Sequence, residues 1–454
     1  MFAQTNFCMK KHLLILALLS IAFAATAQQS NKSKSKDRYR EKDQPAQADV
    51  LDAIDQLGTL RALAEQELPS VLSTLTEVMQ LERPAPAIAS RYYAYALLAG
   101  YETTARYQPK VSSLRGMTNG MPAMLSFTPA DSVFHPFASL WAILETGKQL
   151  IPSGSLLLEK QTMLEQAFRQ KGLSERIIVL SKTAAQDISR AVQEYAQTDG
   201  YQRIADMTRV RTTINPTAPP DLAQNLEPNW STLRPFLLES AQPFALPDPM
   251  PFDTSANSAF MSMTREVYNT SVNLTADQRA IAEFWDASGI GQPSLSAHWM
   301  HISSAVCVQQ KMPFNQALRT HTAVALGIAD AYYVCWEENL RNTRVRPQPI
   351  INRLIDPNWR PTLKGGTALE YVSDHSVVSA AAAEVLTRFV GDNVAFSDES
   401  SAPPRRHSSF RKAAEEAAMS RLYSGIHFRD ALEAGLGSGK RIGNAVAQRW
   451  PKEQ

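Results

Sequence analysis

The sequence predicts an all-α protein, a large helical bundle, on three observations. Apolar residues recur at helical spacing, as at Leu51, Ile54, Leu57, Leu60 and Leu63. The period-2 alternation of β-branched residues that marks strands is scarce. Proline, which removes a backbone donor and stops a helix, is concentrated in one place: nine prolines fall between 216 and 251.

In chain order, residues 9–30 read MKKHLLILALLSIAFAATAQQS. Lys10 and Lys11 precede an apolar run from Leu13 to Ala25, and Ala25-Thr26-Ala27 offers a small-residue cleavage site. That layout predicts a signal peptide over 1–27 and a periplasmic or secreted protein. Residues 28–47 are polar and charged and predict a disordered leader. An N-terminal helical region is expected over 48–210, with helices near 88–106, 130–148, 154–170 and 173–197. The proline-rich connector covers 211–257. Its Trp230, Phe236, Leu237 and Phe244 predict a segment packed along the surface, since a free linker would be more polar. A C-terminal helical domain is expected over 258–454, with helices near 276–287, 293–311, 314–342, 376–390, 408–423 and 427–448. In the last of these Gly435, Gly439 and Gly443 form a small-residue stripe that lets another helix come close. The run GLGSGKR at 435–441 is not a phosphate loop, because Ala434 and Arg441 stand where that motif needs Gly and Ser or Thr.

The formal net charge is +2 over 454 residues, which points to neither nucleic acid nor a membrane surface. After the signal no stretch reaches 18 uninterrupted apolar residues, so no membrane span is expected in the mature protein. Export would leave Cys307 and Cys335, both in helical sequence. Pairing and two buried free thiols both stay open.

Three segments carry the chemistry. The first, CWEENLRNTRVRPQPI (335–350), contains Arg346-Pro347. The second, EYVSDHS (370–376), contains Ser373, Asp374 and His375. The third, SRLYSGIHFRDALEAG (420–435), contains Ser420-Arg421 and then His427. Singly each is weak. In this order they resemble the tripartite signature of the vanadium-dependent haloperoxidase and type 2 phosphatidic acid phosphatase superfamily: Lys-x6-Arg-Pro, Pro-Ser-Gly-His and Ser-Arg-x5-His. SRYYAYALLAGYETTA (90–105), IAEFWD (281–286) and AHWMHIS (297–303) are similar to its soluble, exported bacterial haloperoxidase branch. The resemblance spans the chain from about residue 50.

A superfamily site of this kind holds vanadate or a transferring phosphoryl group, which needs several fixed donors. Arginine forks suit such an oxyanion through paired, charge-assisted hydrogen bonds. The resemblance assigns that role to Arg346 and Arg421, with the Ser373 hydroxyl and the amide after it near a helix N-terminus. It makes His427 the apical residue, the vanadium ligand in a peroxidase or the nucleophile in a phosphatase. It makes His375 the acid–base histidine. His298 and His301 could line the mouth of the site or be satisfied on a packed helix.

Two positions depart from the pattern. Asn339, on the helix face of Tyr332 and Trp336, stands where the signature has Lys, and Asp374 stands where it has Gly. Val372 replaces a Pro. The first two changes lower the local charge by two. One unit charge about 4 Å from another is worth roughly 4 kcal/mol at an effective dielectric near 20, so oxyanion binding is expected to weaken. Arg341, Arg344 and Lys364 are the nearby candidates for replacement charge. The phosphatases carry Asp four residues after the apical His; here that residue is Ala431, with Asp430 one position early.

The resemblance thus implies an exported haloperoxidase-like enzyme that oxidises halide with hydrogen peroxide at a histidine-held vanadate. Two alternatives stay open: a phosphatase with a phosphohistidine intermediate and phosphoester substrates, or a catalytically inactive member acting by binding. Phosphate is the expected competitor or substrate group.

Overall fold

Serine and threonine caps set many of the helix starts. The side chains of Ser174, Ser258, Thr275, Ser294, Ser373 and Ser409 each accept a backbone N–H from the first turn that follows. At Thr275 the bond is reciprocated by Gln278, a capping box. The computed structural model describes residues 47–206, 230–287, 292–342, 344–363 and 369–451. The expected signal peptide, nearly all of the leader, the first part of the connector and Lys364 lie outside the described residues.

Among the described residues six helices precede the connector: α1 (Gln47–Glu82), α2 (Pro86–Tyr107), α3 (His135–Leu150), α4 (Leu157–Gln170), α5 (Glu175–Gln197) and α6 (Tyr201–Asp206). Eight follow it: α7 (Ala259–Val272), α8 (Ala276–Phe284), α9 (Leu295–Gln309), α10 (Phe314–Arg341), α11 (Pro347–Leu354), α12 (Asp374–Val390), α13 (Phe410–Tyr423) and α14 (Arg429–Arg449). The all-α reading holds. Strand structure among the described residues is one antiparallel hairpin, β1 (Phe396–Asp398) with β2 (Arg405–His407). Helices α6, α7 and α11 were not anticipated. The last opens on Pro347 at its first position, where a missing N–H costs nothing. No described helix is long and apolar enough to cross a membrane. Cys307 and Cys335 are both free and buried.

One apolar core runs from Leu60 to Trp450 and joins the helices on both sides of the connector. Helix α10 sits at its centre, against α2 on one side and α12 on the other. A smaller cluster, with Phe260, Ile351, Trp359 and Phe428, lies under α7 and α11.

The glycine stripe of α14 packs on α12. A Cβ at Gly443 would lie 2.6 Å from the Ala381 carbonyl oxygen, one at Gly435 2.6 Å from the Ser376 Cβ, and one at Gly439 on the Val377 carbonyl. Because α12 begins in the site described below, this close packing positions the site. The connector is pinned to α10 by Asp330, which is fully buried. Its carboxylate accepts the backbone N–H groups of Phe236, Leu237 and Leu238 at 2.6, 2.7 and 2.9 Å. Burial pushes its pKa up to about 6 despite those three donors.

Gly439→Ala is expected to destabilise the protein by about 1–3 kcal/mol through overpacking, read by urea denaturation. The Asp330 contribution has a pH sign. Its folded pKa lies above the unfolded value, so that stability is present in acid and is lost as pH rises through about 6. Asp330→Asn should remove this part of the slope between about pH 4 and about pH 6 in the same assay.

Candidate anion site

Four segments converge at the N-terminal end of α12. They are the end of α10, the entry to α11, the loop at 369–373 and the α13–α14 turn. Ser373 caps α12, its Oγ accepting the Ser376 N–H at 3.4 Å. The helix therefore starts at Asp374, two residues earlier than expected, and His375 lies in its first turn. The preceding Tyr371–Val372 peptide is cis.

Asp374 holds the helix terminus itself. Its Oδ1 accepts the His375 backbone N–H at 2.7 Å and lies 3.0 Å from His375 Nδ1. Its Oδ2 has no hydrogen-bond partner among the described residues, and 25 % of the side chain is exposed. Burial works against its charge, but His375, His427 and Arg421 outweigh burial and hold the carboxyl well below the usual carboxylate range. An anion already sits where helix-end amides and positive side chains would attract one.

His375 is occupied on both sides. Nε2 donates to the Trp285 carbonyl at 3.2 Å, and Nδ1 faces Asp374. Burial and Arg421 pull the ring toward its neutral form, and Asp374 opposes them. A carbonyl can only accept, so a neutral ring has one N–H to share between the Trp285 carbonyl and Asp374 Oδ1.

The two arginines are both present. Arg421, on α13, is buried; its Nη2 donates to the same Trp285 carbonyl at 2.9 Å and its Nε to Ser420 Oγ at 2.9 Å. Burial pushes its pKa down to about 10, with Asp374 and Asp286 opposing and Arg346 adding to the fall. It stays cationic at neutral pH. Arg346 precedes α11 and donates from Nη1 to the Ile426 carbonyl at 3.3 Å. Burial lowers its pKa too, against Asp374 and Glu370. The two guanidiniums lie within electrostatic reach of Asp374 and of one another.

His427 is buried, and its Nδ1 donates to the Glu370 carbonyl at 2.7 Å. Nε2 then keeps its lone pair and has no hydrogen-bond partner among the described residues. Burial lowers the ring pKa, with Glu370 opposing and Arg346 adding.

The remaining expected residues are turned to other work. Asn339 is buried, and its Nδ2 donates to the carbonyls of Cys335 at 2.7 Å and Val372 at 3.1 Å, tying α10 to the loop. Neither candidate replacement cation among the described residues is available. Arg344 donates through Nε to Glu370 and through both Nη atoms to Asp430 at 2.6 Å. Arg341 pairs with Glu338 and with the Leu246 carbonyl, each at 2.5 Å. His298 stacks on Trp285 at 4.2 Å and bonds Asp398 and Ser400, while His301 is exposed.

Sequence reasoning missed Glu370 and Trp285. Glu370 is fully buried. It takes Arg344 on Oε2, the Phe428 N–H on Oε1 at 2.7 Å, and His427 on its carbonyl. A carboxylate three residues before Ser373 was the available signal. Trp285 acts through its backbone, which no side-chain pattern announces.

Residues 319–452 match the family model of the VCPO second helical-bundle domain. The structure of the first bacterial vanadium-dependent iodoperoxidase superposes with a TM-score of 0.81 at 30% identity, over 86% of this chain and 98% of that one. The chain belongs to the vanadium-dependent haloperoxidase superfamily. Apo and holo forms of a bacterial vanadium-dependent chloroperoxidase share the fold, with TM-scores of 0.62 and 0.61 at 14% and 13% identity. They cover 80% and 81% of this chain and 94% and 92% of their own. No curated protein matches the chain.

For this haloperoxidase-family chain, the Glu370 network predicts a large structural effect. Glu370→Gln leaves Arg344 buried without its full partner and is expected to cost about 3–5 kcal/mol of stability, read by denaturant titration.

Proposed function

We propose that this protein is an exported member of the haloperoxidase superfamily that binds an oxyanion without carrying out vanadate-dependent halide oxidation. The observation that carries this reading is the pair of hydrogen-bond contacts from His375, backbone N–H and ring Nδ1, to Asp374 Oδ1. The donors that would stabilise a bound oxyanion at the helix end are directed to the protein's own carboxylate, and the acid–base histidine has no free nitrogen.

Vanadate is the cofactor that the family implies. The residues fit an oxyanion in general: Arg346 and Arg421 supply charge, and His427 offers Nε2. They do not fit a vanadate whose charge is fully compensated. Asn339 spends its amide on backbone carbonyls, Arg344 is neutralised by Glu370 and Asp430, and Asp374 adds a negative oxygen.

A second reading, haloperoxidase activity with peroxide and halide as substrates, is favoured by one feature. His427 keeps the tautomer that leaves Nε2 available, fixed by the Glu370 carbonyl. The phosphatase alternative has no such support. Asp430 pairs with Arg344, and the carboxylate nearest His427 Nδ1 is that of Glu370, at 3.5 Å.

Orthovanadate calorimetry and peroxide-dependent bromide oxidation separate these readings. The unaltered protein should bind vanadate at least about tenfold more weakly than Asn339→Lys/Asp374→Gly, a gap of about 1.4 kcal/mol, and should show no turnover. Tight binding with turnover by the unaltered protein overturns the proposal in favour of the haloperoxidase.

A further inference from the structure

A cavity of about 160 Å³ opens between the end of α1, the start of α2 and the start of α9. None of Arg346, Asp374, His375, Arg421 and His427 lines it, so it is separate from the site at α12. Its floor is buried, with Met79, Ala89, Tyr93 and Ala297, while Arg83 and Pro86 are exposed at its rim. An apolar hollow of about 150 Å³ holds a benzene ring, so this one has room for a group of six carbons.

The polar groups of the wall differ in what they have left to give. Thr76 Oγ1 donates to the Leu72 carbonyl at 2.9 Å, and the Tyr93 hydroxyl is bonded to Thr76, so both hydroxyl protons of the floor are spent. Ser294 Oγ caps α9 by accepting the Ala297 N–H at 3.2 Å. Gln80 and Arg83 have no side-chain partner among the described residues. Of the described residues that line the cavity, Arg83 is the charged one, and no carboxylate lines it. The N-terminus of α9, a helix of 15 residues, opens on the same space at Ser294 and adds its partial positive charge. The backbone also singles out Arg83. The chain leaves α1 at Glu82 and passes through Arg83 at φ 47°, left-handed backbone for which glycine is the least costly residue. A guanidinium is kept where the geometry favours glycine.

We infer that this cavity binds a small organic carboxylate, of the benzoate or short-chain acid class. Its apolar part lies on Met79, Pro84 and Ala89, and its carboxylate takes donors from the Arg83 fork and the Gln80 amide. A cation would meet Arg83 with no carboxylate in the wall to offset it. An inorganic anion would leave the apolar floor uncovered.

The test is a ligand-observed NMR titration of the full mature chain with benzoate, its neutral analogue benzamide, and acetate, at neutral pH. The variants are Arg83→Gly, which suits the backbone at that position, and Ala89→Leu, which fills the hollow; circular dichroism confirms that each is folded. The unaltered protein should bind benzoate at least about threefold more tightly than benzamide, the size expected of one exposed charge pair, and acetate more weakly than benzoate. Arg83→Gly should bring benzoate to within about twofold of benzamide. Ala89→Leu should abolish binding of both, and orthovanadate should not displace benzoate from the unaltered protein. Absence of benzoate binding to the folded unaltered protein overturns the proposal, as does a preference for benzoate that survives Arg83→Gly, or binding that survives Ala89→Leu. Displacement by orthovanadate also overturns it and places the ligand in the site at α12.

Discussion

The buried Arg421 and the half-buried Arg346 need a counter-charge, and the chain supplies one at Asp374. Asp374 sits at the first position of α12, where helix-end amides favour an anion, and holds His375 by both its N–H and its ring. Arg421 and His375 then share the Trp285 carbonyl, which draws α8, α12 and α13 to one point. Removing the Asp374 charge would leave two cations facing one another in a region where burial already pulls both toward neutrality. The rest of the site is arranged around that compensation.

A second charged network holds the other wall. Glu370 is fully buried, and Arg344 answers it while also taking Asp430 in a two-pronged contact. Through its carbonyl Glu370 fixes the tautomer of His427, and through Oε1 it takes the Phe428 N–H. The orientation of His427 therefore comes from the loop before α12. The nearby Asp430 plays no direct part in it, which separates this arrangement from the phosphatase pattern. Arg344 is also close to the Tyr371 and Phe428 rings, each 5.0 Å away, so its planar head is held on its faces as well as its edge.

The helical scaffold gives these networks their precision. Helix α14 can lie against α12 because three glycines leave space for carbonyls and small side chains. Helix α10 carries Asn339 to the loop at one end and receives the connector at Asp330 nearer its middle. A single core through both sets of helices means that the site rests on packing from the whole chain rather than on one domain.

The sequence by itself determined the helical class and a close helix approach along the glycine face of α14, and through its resemblance it singled out two arginines and two histidines, because periodicity, glycine spacing and residue order are local properties of a chain. It also marked Asn339 and Asp374 as the places where charge was lost. Tertiary structure decided what those changes mean. The amide of Asn339 finds two carbonyls, Arg344 finds two carboxylates, and the Trp285 carbonyl meets Arg421 and His375 from 136 and 90 residues away. Such partners cannot be read from spacing, since hydrogen bonds and charge compensation depend on distances in space that only the packed helices set.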